Sequence, residues 1–195
     1  MLMEELTPYM SGNFEQTAGV TIDEYIDGSI DEQLRTLFLS APLRFLPVVE
    51  IGSECKPQRR QDGSGRITLP MEFLRPVSLQ MEGWHKTVTR FIDESHPLYE
   101  LQFSRYTRGG VSKPVAVWTT DGSGAQVIDY FSFPASVTSH AIRSLQCVKN
   151  PTPRSTTYNL HPALIDALCY RCAALVYDIM GNHPMSAIMQ ARVVM

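Results

Sequence analysis

Long apolar runs and closely spaced cysteines are missing from this 195-residue sequence. No run approaches the roughly 18 apolar residues of a membrane-spanning helix, so we expect no membrane segment. The opening stretch MLMEELTPYM has no basic residue ahead of its apolar ones, unlike a secretory signal peptide. Four cysteines lack the dense spacing of a small disulfide scaffold. These absences predict a protein made and kept in a reducing compartment.

Motifs of several enzyme classes are also missing. The sequence contains no G-x-S-x-G nucleophile elbow, no H-E-x-x-H zinc motif and no phosphate-binding Walker loop. Gly-Ser-Gly occurs twice, but inside predicted hairpin turns. The stretch DESH (93–96) places acids beside a histidine, although adjacent residues seldom converge on one point. We therefore predict a protein that is not an enzyme and has no cofactor or bound metal.

Positive charge is missing from the first 34 residues. They contain eight of the 20 acids and none of the 17 Lys and Arg, so the remaining residues carry a formal charge of +5. We interpret residues 1–20 as an acidic arm or irregular lead-in. Such an asymmetry can serve contacts between copies, because opposite charges set register and suppress wrong pairings. A solvated acidic segment explains the same pattern equally well.

Helical patterns occupy both ends of the chain. TIDE (21–24) and SIDE (29–32) both fit the capping box of a helix start, so Asp27-Gly28 is either a break or a weak point in one helix. An apolar face at helical spacing then follows as far as Pro42, formed by Ile26, Ile30, Leu34, Leu37, Phe38 and Ala41. Near the C-terminus we predict a helix from about His161 to Met180 and a shorter one from His183.

The middle of the chain is rich in short β-type runs. Two hairpins are predicted, turning at Asp62-Gly63 and at Asp121-Gly122. The stretch NPTPRSTTYNLHP (150–162) has the composition of a linker. We therefore predict an α+β fold in which the N-terminal helix and the C-terminal helix pair pack together. The helical lobe would comprise 21–46 and 156–195, with a β-rich lobe, 47–150, inserted between.

The stretch ALCYRCAALV contains a Cys-x-x-Cys that could form a zinc or redox site with His161 and His183. At about 100° per residue, the apolar positions of this helix fall within an arc of about 160°, with Cys172 at its centre and Cys169 near its edge. Thiols so placed behave as small buried hydrophobes, and structural zinc needs four converging ligands. Core packing is favoured, and a cytosolic α+β metalloprotein or enzyme using Cys169 and Cys172 is the alternative.

Two further features are candidates for contacts with other molecules. Ala163, Ala167 and Ala174 form a strip of small residues on the same helix, which is either an intersubunit face or a row of exposed alanines. A basic, glycine-rich loop contains Arg105 and Arg108 and continues to Lys113. Together with Arg59-Arg60, this loop is the basis of a third hypothesis, a small nucleic-acid-binding module.

The most distinctive stretch is ITLPMEFLRPVSLQMEGWHKTV (67–88), in which Leu69-Pro70 precedes a turn with Glu72-Phe73 and an exposed-looking Trp84 follows. It resembles the LP-x-[DE]-F-L segment in the β-lobe of phage head-to-tail connector proteins. HPLYELQFSRYTRGGVSKPVAV (96–117) continues the likeness, with matching points at Tyr99, Gln102, Tyr106, Gly109-Gly110 and Pro114. So does the global order, a first helix ending in SAPLRFLP (40–47), a β-lobe and a helix pair. The likeness covers about 21–190, and the acidic residues 1–20 have no match in the family pattern.

This resemblance implies a virion protein of the neck or tail region, as in the adaptor (tail-tubular) rings of short-tailed phages and the neck rings of crAss-like phages. Such a subunit forms a closed ring with itself, typically of about twelve copies. The ring binds the portal protein and other neck or tail proteins, and double-stranded DNA passes through its lumen without sequence-specific binding. By the same likeness the C-terminal segment faces the portal, and its apolar candidates are Met185, Ile188, Met189, Val193 and Val194.

Overall fold

The structure is a computed structural model that describes residues 22–151, 158 and 160–193. The predicted acidic arm, 1–20, lies outside the described residues. Helices and antiparallel sheets are both present, which confirms the predicted α+β class. The chain divides into two compact units. The β unit spans Pro47–Lys149, and the helical unit is formed by the chain segments that precede and follow it in the sequence.

The described elements have the following bounds. The helices are α1 (Ile22–Ser40), α2 (Leu98–Leu101), α3 (Pro162–Ile179) and α4 (His183–Ala191), with a 3-10 turn at Leu43–Phe45. The strands are β1 (Val48–Glu50), β2 (Pro57–Arg59), β3 (Gly65–Thr68), β4 (Phe73–Met81), β5 (Ala116–Thr120), β6 (Gln126–Tyr130) and β7 (Ile142–Lys149).

Helix α1 buries the apolar face that its sequence predicts. Each of the six predicted residues from Ile26 to Ala41 is at most 7% exposed, and Leu34 and Leu37 are fully buried. The helix continues through Asp27-Gly28 without a break. Of the two alternatives, a single helix is therefore confirmed and the break is excluded. Ser29 of SIDE lies inside α1, and its hydroxyl donates to the Ile26 carbonyl at 3.2 Å. Burial of a continuous face outweighs the local preference for a cap.

Helix α3 packs against both α1 and α4. It begins with His161, whose Nδ1 accepts a hydrogen bond from the Ala163 amide at 3.2 Å, and with Pro162 at the first helical position. Gly181 ends it with a φ of 72°, which glycine adopts at little cost. The side chain of Asn182 then caps α4 by accepting from the Met185 amide. Both C-terminal helices thus begin close to the predicted positions, and α3 also ends close to its predicted end.

The β unit contains two antiparallel sheets. One has the order β1-β7-β4, and the other has the order β2-β3-β6-β5. Both predicted hairpins are confirmed, since β2 pairs with β3 and β5 pairs with β6. Strand β3 also pairs with β6, which joins the two hairpins into one sheet.

Both hairpins turn at the same tetrapeptide, Asp-Gly-Ser-Gly, but in different registers. In the first turn the amide of Gly63 donates to the Arg60 carbonyl, and Gly63 has a φ of 86°. In the second turn Gly124 donates to the Asp121 carbonyl with a φ of 84°. The left-handed position therefore falls on the first glycine of one copy and on the second glycine of the other.

An aromatic cluster occupies one part of the β core. Trp84 stacks on Phe133 with ring centroids 6.0 Å apart, and both contact the ring of Tyr130 edge-on. Burial raises the pKa of Tyr130 to about 12. Trp84 is only 4% exposed, so the sequence-based expectation of an exposed tryptophan is wrong. Aromatic side chains gain more from packing against one another than from remaining at a turn surface.

Candidate interaction surface

The segment 97–113 of the β unit consists of the short helix α2 and an irregular loop, which side-chain hydrogen bonds hold in place. Gln102 is only 3% exposed, and its amide group donates to the Leu98 carbonyl and accepts from the Gly109 amide. The hydroxyl of Thr107 donates to the Leu101 carbonyl at 2.8 Å. Because both ends of the loop are bonded to its middle, the loop holds a defined conformation.

This loop exposes large apolar side chains. Tyr106 is 93% exposed and Phe103 is 62% exposed, and Leu98 and Leu101 are exposed to a lesser degree. Phe103 is not loose, since its ring packs edge-on against Tyr99 at 5.0 Å and Phe131 at 5.7 Å. Apolar side chains fixed at a surface are typical of protein contact sites. We name residues 97–110 the aromatic loop.

A groove of about 690 Å³ lies beside the aromatic loop. Its charged lining residues are Asp62, Arg105 and Arg108, and its apolar ones include Phe103 and Val111. Residues 132–135, which follow the end of β6, form a further wall of the groove. The volume lies within the range of small-ligand and peptide sites. Both arginines singled out in the sequence therefore line one groove.

The two arginines differ in what they contact. Arg108 donates to the Asp62 carbonyl at 2.7 Å and to the Phe133 carbonyl at 3.3 Å, and its guanidinium lies 3.5 Å from the Asp62 carboxylate. It therefore joins the loop to the first hairpin turn and is structural. Arg105 is exposed and has no hydrogen bond or ion pair with the described part of the chain. Arg105 is thus the side chain available for a ligand.

The arginine pair of the nucleic-acid hypothesis is also engaged within the protein. Arg59 donates to the carbonyls of Ala135 and Val137 at 2.8 and 3.0 Å. Arg60 lies 3.4 Å from the carboxylate of Asp129, which Arg66 binds with two hydrogen bonds of 2.7 Å. These bonds stabilise the sheet and leave fewer donors for phosphate groups.

The carboxylate of Asp62 connects the turn to the groove. Burial by itself would raise its pKa, but hydrogen bonds from the Ser64 hydroxyl and amide and the charge of Arg108 together lower the pKa below its ordinary value. A carboxyl whose pKa is lowered by folding stabilises the folded state above its unfolded pKa. That stabilisation is lost as the pH falls through the folded pKa.

We predict that Asp62→Asn will make the stability of the β unit less dependent on pH in acid. The asparagine keeps an oxygen that can accept from Ser64 but cannot carry the charge that Arg108 stabilises. The free energy of unfolding, measured by urea titration from about pH 7 down to about pH 2.5, should fall less steeply than in the wild type. The part of the fall in unfolding free energy that Asp62→Asn removes should occur at pH values below about 3.9, the ordinary pKa of aspartate.

Asp121→Asn is the matched control. Asp121 makes the same bonds to the hydroxyl and amide of Ser123 in the second copy of the tetrapeptide and also accepts from the Ala125 amide. The charge of Arg66 contributes least to lowering its pKa, and no arginine forms an ion pair with it among the described residues. Its substitution should remove less of the pH dependence. Equal effects of the two substitutions would show that the Arg108 contact contributes no more than the Ala125 amide and the distant charge of Arg66 do at Asp121.

The C-terminal candidates do not form one exposed apolar face. Ile188 is 47% exposed, Met185 and Val193 are half-buried, and Met189 is only 4% exposed. Val194 lies outside the described residues. Met189 thus belongs to the core of the helical unit, which corrects its place among the exposed candidates. The end of α3 adds exposed apolar area, since Ile179 is 55% exposed and Met180 is 44% exposed.

The alanine strip of α3 is also mostly covered. Ala167 and Ala174 are 3% and 2% exposed, and only Ala163 is open to solvent. Tyr177 of the same helix is 2% exposed as well. Helix α3 is therefore buried around most of its circumference. In this conformation Ala167 and Ala174 cannot meet another subunit, and that part of the prediction is corrected.

Cys169 and Cys172 lie in the core of the helical unit, 2% and 0% exposed. Burial raises the pKa of the Cys172 thiol to about 12. His161 caps α3, and His183 lies 2.8 Å from the carboxylate of Asp178. Within the described residues no three His, Cys, Asp or Glu side chains are grouped as metal ligands. Each side chain of the alternative site therefore has another role in the structure.

The cysteines should be inert in the folded protein. Burial also raises the pKa of Cys147 to about 11, so thiolate is scarce near neutral pH and a thiol reagent should react only after unfolding. The double substitution Cys169→Ala/Cys172→Ala should cost about 2 kcal/mol or less and leave the metal content unchanged. Rapid thiol reaction in the native state, or one zinc per chain that is lost from the variant, would contradict this prediction.

Sequence reasoning named the two arginines of the groove but missed the residues beside them. The signal was the interleaving of Leu98, Leu101, Phe103 and Tyr106 with polar residues at no regular spacing. A loop with that composition has no core face, so some of its apolar side chains must stay exposed. The partner of Arg108 was not predictable, because Asp62 is 46 residues away.

No protein family model matches the chain, and no curated protein matches it. Among the described residues no helix is both long enough and apolar enough to cross a membrane. The surfaces described above are therefore the basis for a function.

Proposed function

We propose that the chain is a structural subunit of a phage head-to-tail connector, a ring between portal and tail through which DNA passes. The observation that carries this proposal is the exposure of large apolar side chains on well-held segments of both units. In the β unit these are the residues of the aromatic loop, and in the helical unit they are Ile179, Met180 and Ile188. Each unit thus has a surface suited to contact with another protein.

The aromatic loop also coincides with the segment that resembles the connector family. Gln102 is a matching point of that resemblance and fixes the loop by its two hydrogen bonds. Tyr106, another matching point, is almost fully exposed. An exposed tyrosine on a fixed loop costs little conformational entropy on binding, which favours a contact between subunits. We therefore assign the aromatic loop to ring contacts and the C-terminal helices to the portal side.

The mechanism of such a subunit is mechanical. A ring closes only if its head-to-tail interfaces repeat with a rotation that returns to the first copy. The completed ring seals the portal opening and connects it to the tail, and DNA passes through the lumen without base-specific contacts. Arg59, Arg60 and Arg108 are bonded to groups of the protein itself, which is consistent with a weak interaction with DNA.

The test is the molar mass of the purified protein, measured by light scattering alone and after mixing with a candidate portal protein. We expect a discrete ring, of about twelve copies, to form alone or on the portal. A chain that stays monomeric in both samples at about 100 μM would overturn the proposal.

Two matched pairs of variants locate the contacts. Tyr106→Asp should prevent ring formation, whereas Arg90→Asp, at another exposed position of the β unit, should not. Ile188→Asp should weaken binding to the portal, whereas Gln190→Asp on the same helix should not. Each substitution is at an exposed residue, so the thermal midpoint should change little. If the two variants of a pair behaved alike, the surface that the pair tests would not be a contact of the assembly.

A further inference from the structure

The acidic arm and the groove of the β unit have complementary chemistry. Residues 1–20 contain Glu4, Glu5 and Glu15 and no Lys or Arg, and their apolar side chains include Leu6 and Phe14. The groove offers a positive charge, which is opposite to that of the arm, and exposed apolar surface, against which the apolar side chains of the arm can pack. Opposite charges at a contact favour the correct pairing and speed association.

The positive charge of the groove comes from Arg105. Arg105 lines the groove and has no hydrogen-bond or ion-pair partner in the described part of the chain. The charge of Arg108 is offset by Asp62, 3.5 Å away. Arg59 does not line the groove, but it binds the carbonyl of the lining residue Ala135, and this bond does not neutralise its charge. The lining residues therefore carry an excess of one positive charge, and Arg105→Glu reverses its sign.

The apolar surface of the groove comes from the aromatic loop. Phe103 is 62% exposed and is fixed by its edge contacts with Tyr99 and Phe131. Val111 contributes a partly buried side chain on the same lining. A fixed aromatic ring beside free arginine charge suits a peptide that carries both apolar and acidic side chains.

We propose that this groove binds the acidic arm, residues 1–20, of a second copy of the chain. Arm and groove are different patches, so their pairing between copies is head-to-tail and can repeat around a ring. The inference rests on the proposed function, since a ring is the assembly in which the arm of one subunit would meet the groove of the next. It names the segment through which neighbouring subunits bind.

The first test is binding of a fluorescent peptide of residues 1–20 to the full-length chain, followed by anisotropy. Arg105→Glu should weaken binding by about tenfold or more, and added salt should weaken binding to the wild type. The control is Arg90→Glu, which makes the same charge change at an exposed residue outside the groove and should have no effect. A peptide with Glu4, Glu5 and Glu15 replaced by Lys should prefer the Arg105→Glu chain.

The second test distinguishes a contact between copies from an arm that occupies the groove of its own chain. One full-length variant carries Arg105→Glu, and the other carries Glu4→Lys, Glu5→Lys and Glu15→Lys. Each alone has arm and groove of like charge, so neither should self-associate. In a mixture each arm meets a groove of opposite charge, and sedimentation should detect association restored to the wild-type level.

Either of two results would overturn the inference. One is the absence of peptide binding at about 1 mM, or binding that Arg105→Glu leaves unchanged. The other is a mixture that associates no better than the separate variants. If Arg105→Glu lowers binding of duplex DNA and not of the peptide, the groove is a nucleic-acid site instead. Assembly on a portal is a separate measurement, so a ring that forms without arm binding would refute this inference and leave the proposed function standing.

Discussion

Gly63→Ala is expected to destabilise the β unit by about 3 kcal/mol. Gly63 has a φ of 86°, a conformation that costs an L-residue with a side chain about 1–2 kcal/mol. A Cβ atom there would also lie 2.3 Å from the Phe133 carbonyl oxygen and 2.8 Å from the Pro134 carbonyl carbon. These are backbone atoms, so relief of the clash requires the chain at 133–135 to move. That segment is the wall of the groove, and peptide binding should weaken as well.

Gly124→Ala is the control, because it isolates the conformational cost. Gly124 has almost the same φ, 84°, but a Cβ atom added there would have no neighbouring atom within 4 Å. Its loss of stability should therefore be about 1 kcal/mol. Urea unfolding monitored by tryptophan fluorescence measures both variants, since Trp84 and Trp118 lie in the β unit. Equal losses would show that the contact between the first turn and 133–135 is not close.

Leu34→Ala is expected to destabilise the helical unit by about 3 kcal/mol. The Leu34 side chain is fully buried at the centre of the α1 face, so its truncation removes apolar contacts and leaves a cavity. The helix itself should persist, since alanine has the higher helix propensity. Thermal unfolding followed by circular dichroism at a helical wavelength measures the loss.

Leu39→Ala, on the same helix, is the matched control. Leu39 is 44% exposed, so the identical chemical change should cost about 0.5 kcal/mol or less. A comparable loss at both positions would mean that another molecule covers the exposed side of α1 under the conditions of measurement. The difference between the two variants therefore reports burial within the chain and not helix propensity.

Much of the fold was predictable because its signals are local. The helical spacing from Ile26 to Ala41 identifies the buried face of α1, since one stripe must leave water whatever it packs against. The two Asp-Gly turns identify the hairpins, because few residues adopt the backbone that such turns need. Pro162 and Gly181 mark the ends of α3 for the same reason.

The candidate surface was predictable only in part. The sequence singled out Arg105 and Arg108 as members of one basic loop, but the two have different roles. Arg108 binds Asp62 and Phe133, which lie 46 and 25 residues away, whereas Arg105 stays exposed. Local pattern does not distinguish two arginines of one loop, since their partners come from distant parts of the chain.

The two copies of Asp-Gly-Ser-Gly separate what the sequence determines from what tertiary structure decides. By itself the tetrapeptide determines a turn, together with the bonds from Ser64 to Asp62 and from Ser123 to Asp121. Which glycine becomes left-handed depends on the pairing of the flanking strands, Arg59 with Gly65 and Thr120 with Gln126. A shift of one residue would turn every side chain of a strand to the other face, so burial in the core fixes this register. The same requirement for burial places Trp84, Ala167 and Met189 in the core. No local sequence pattern could decide whether these three side chains are exposed.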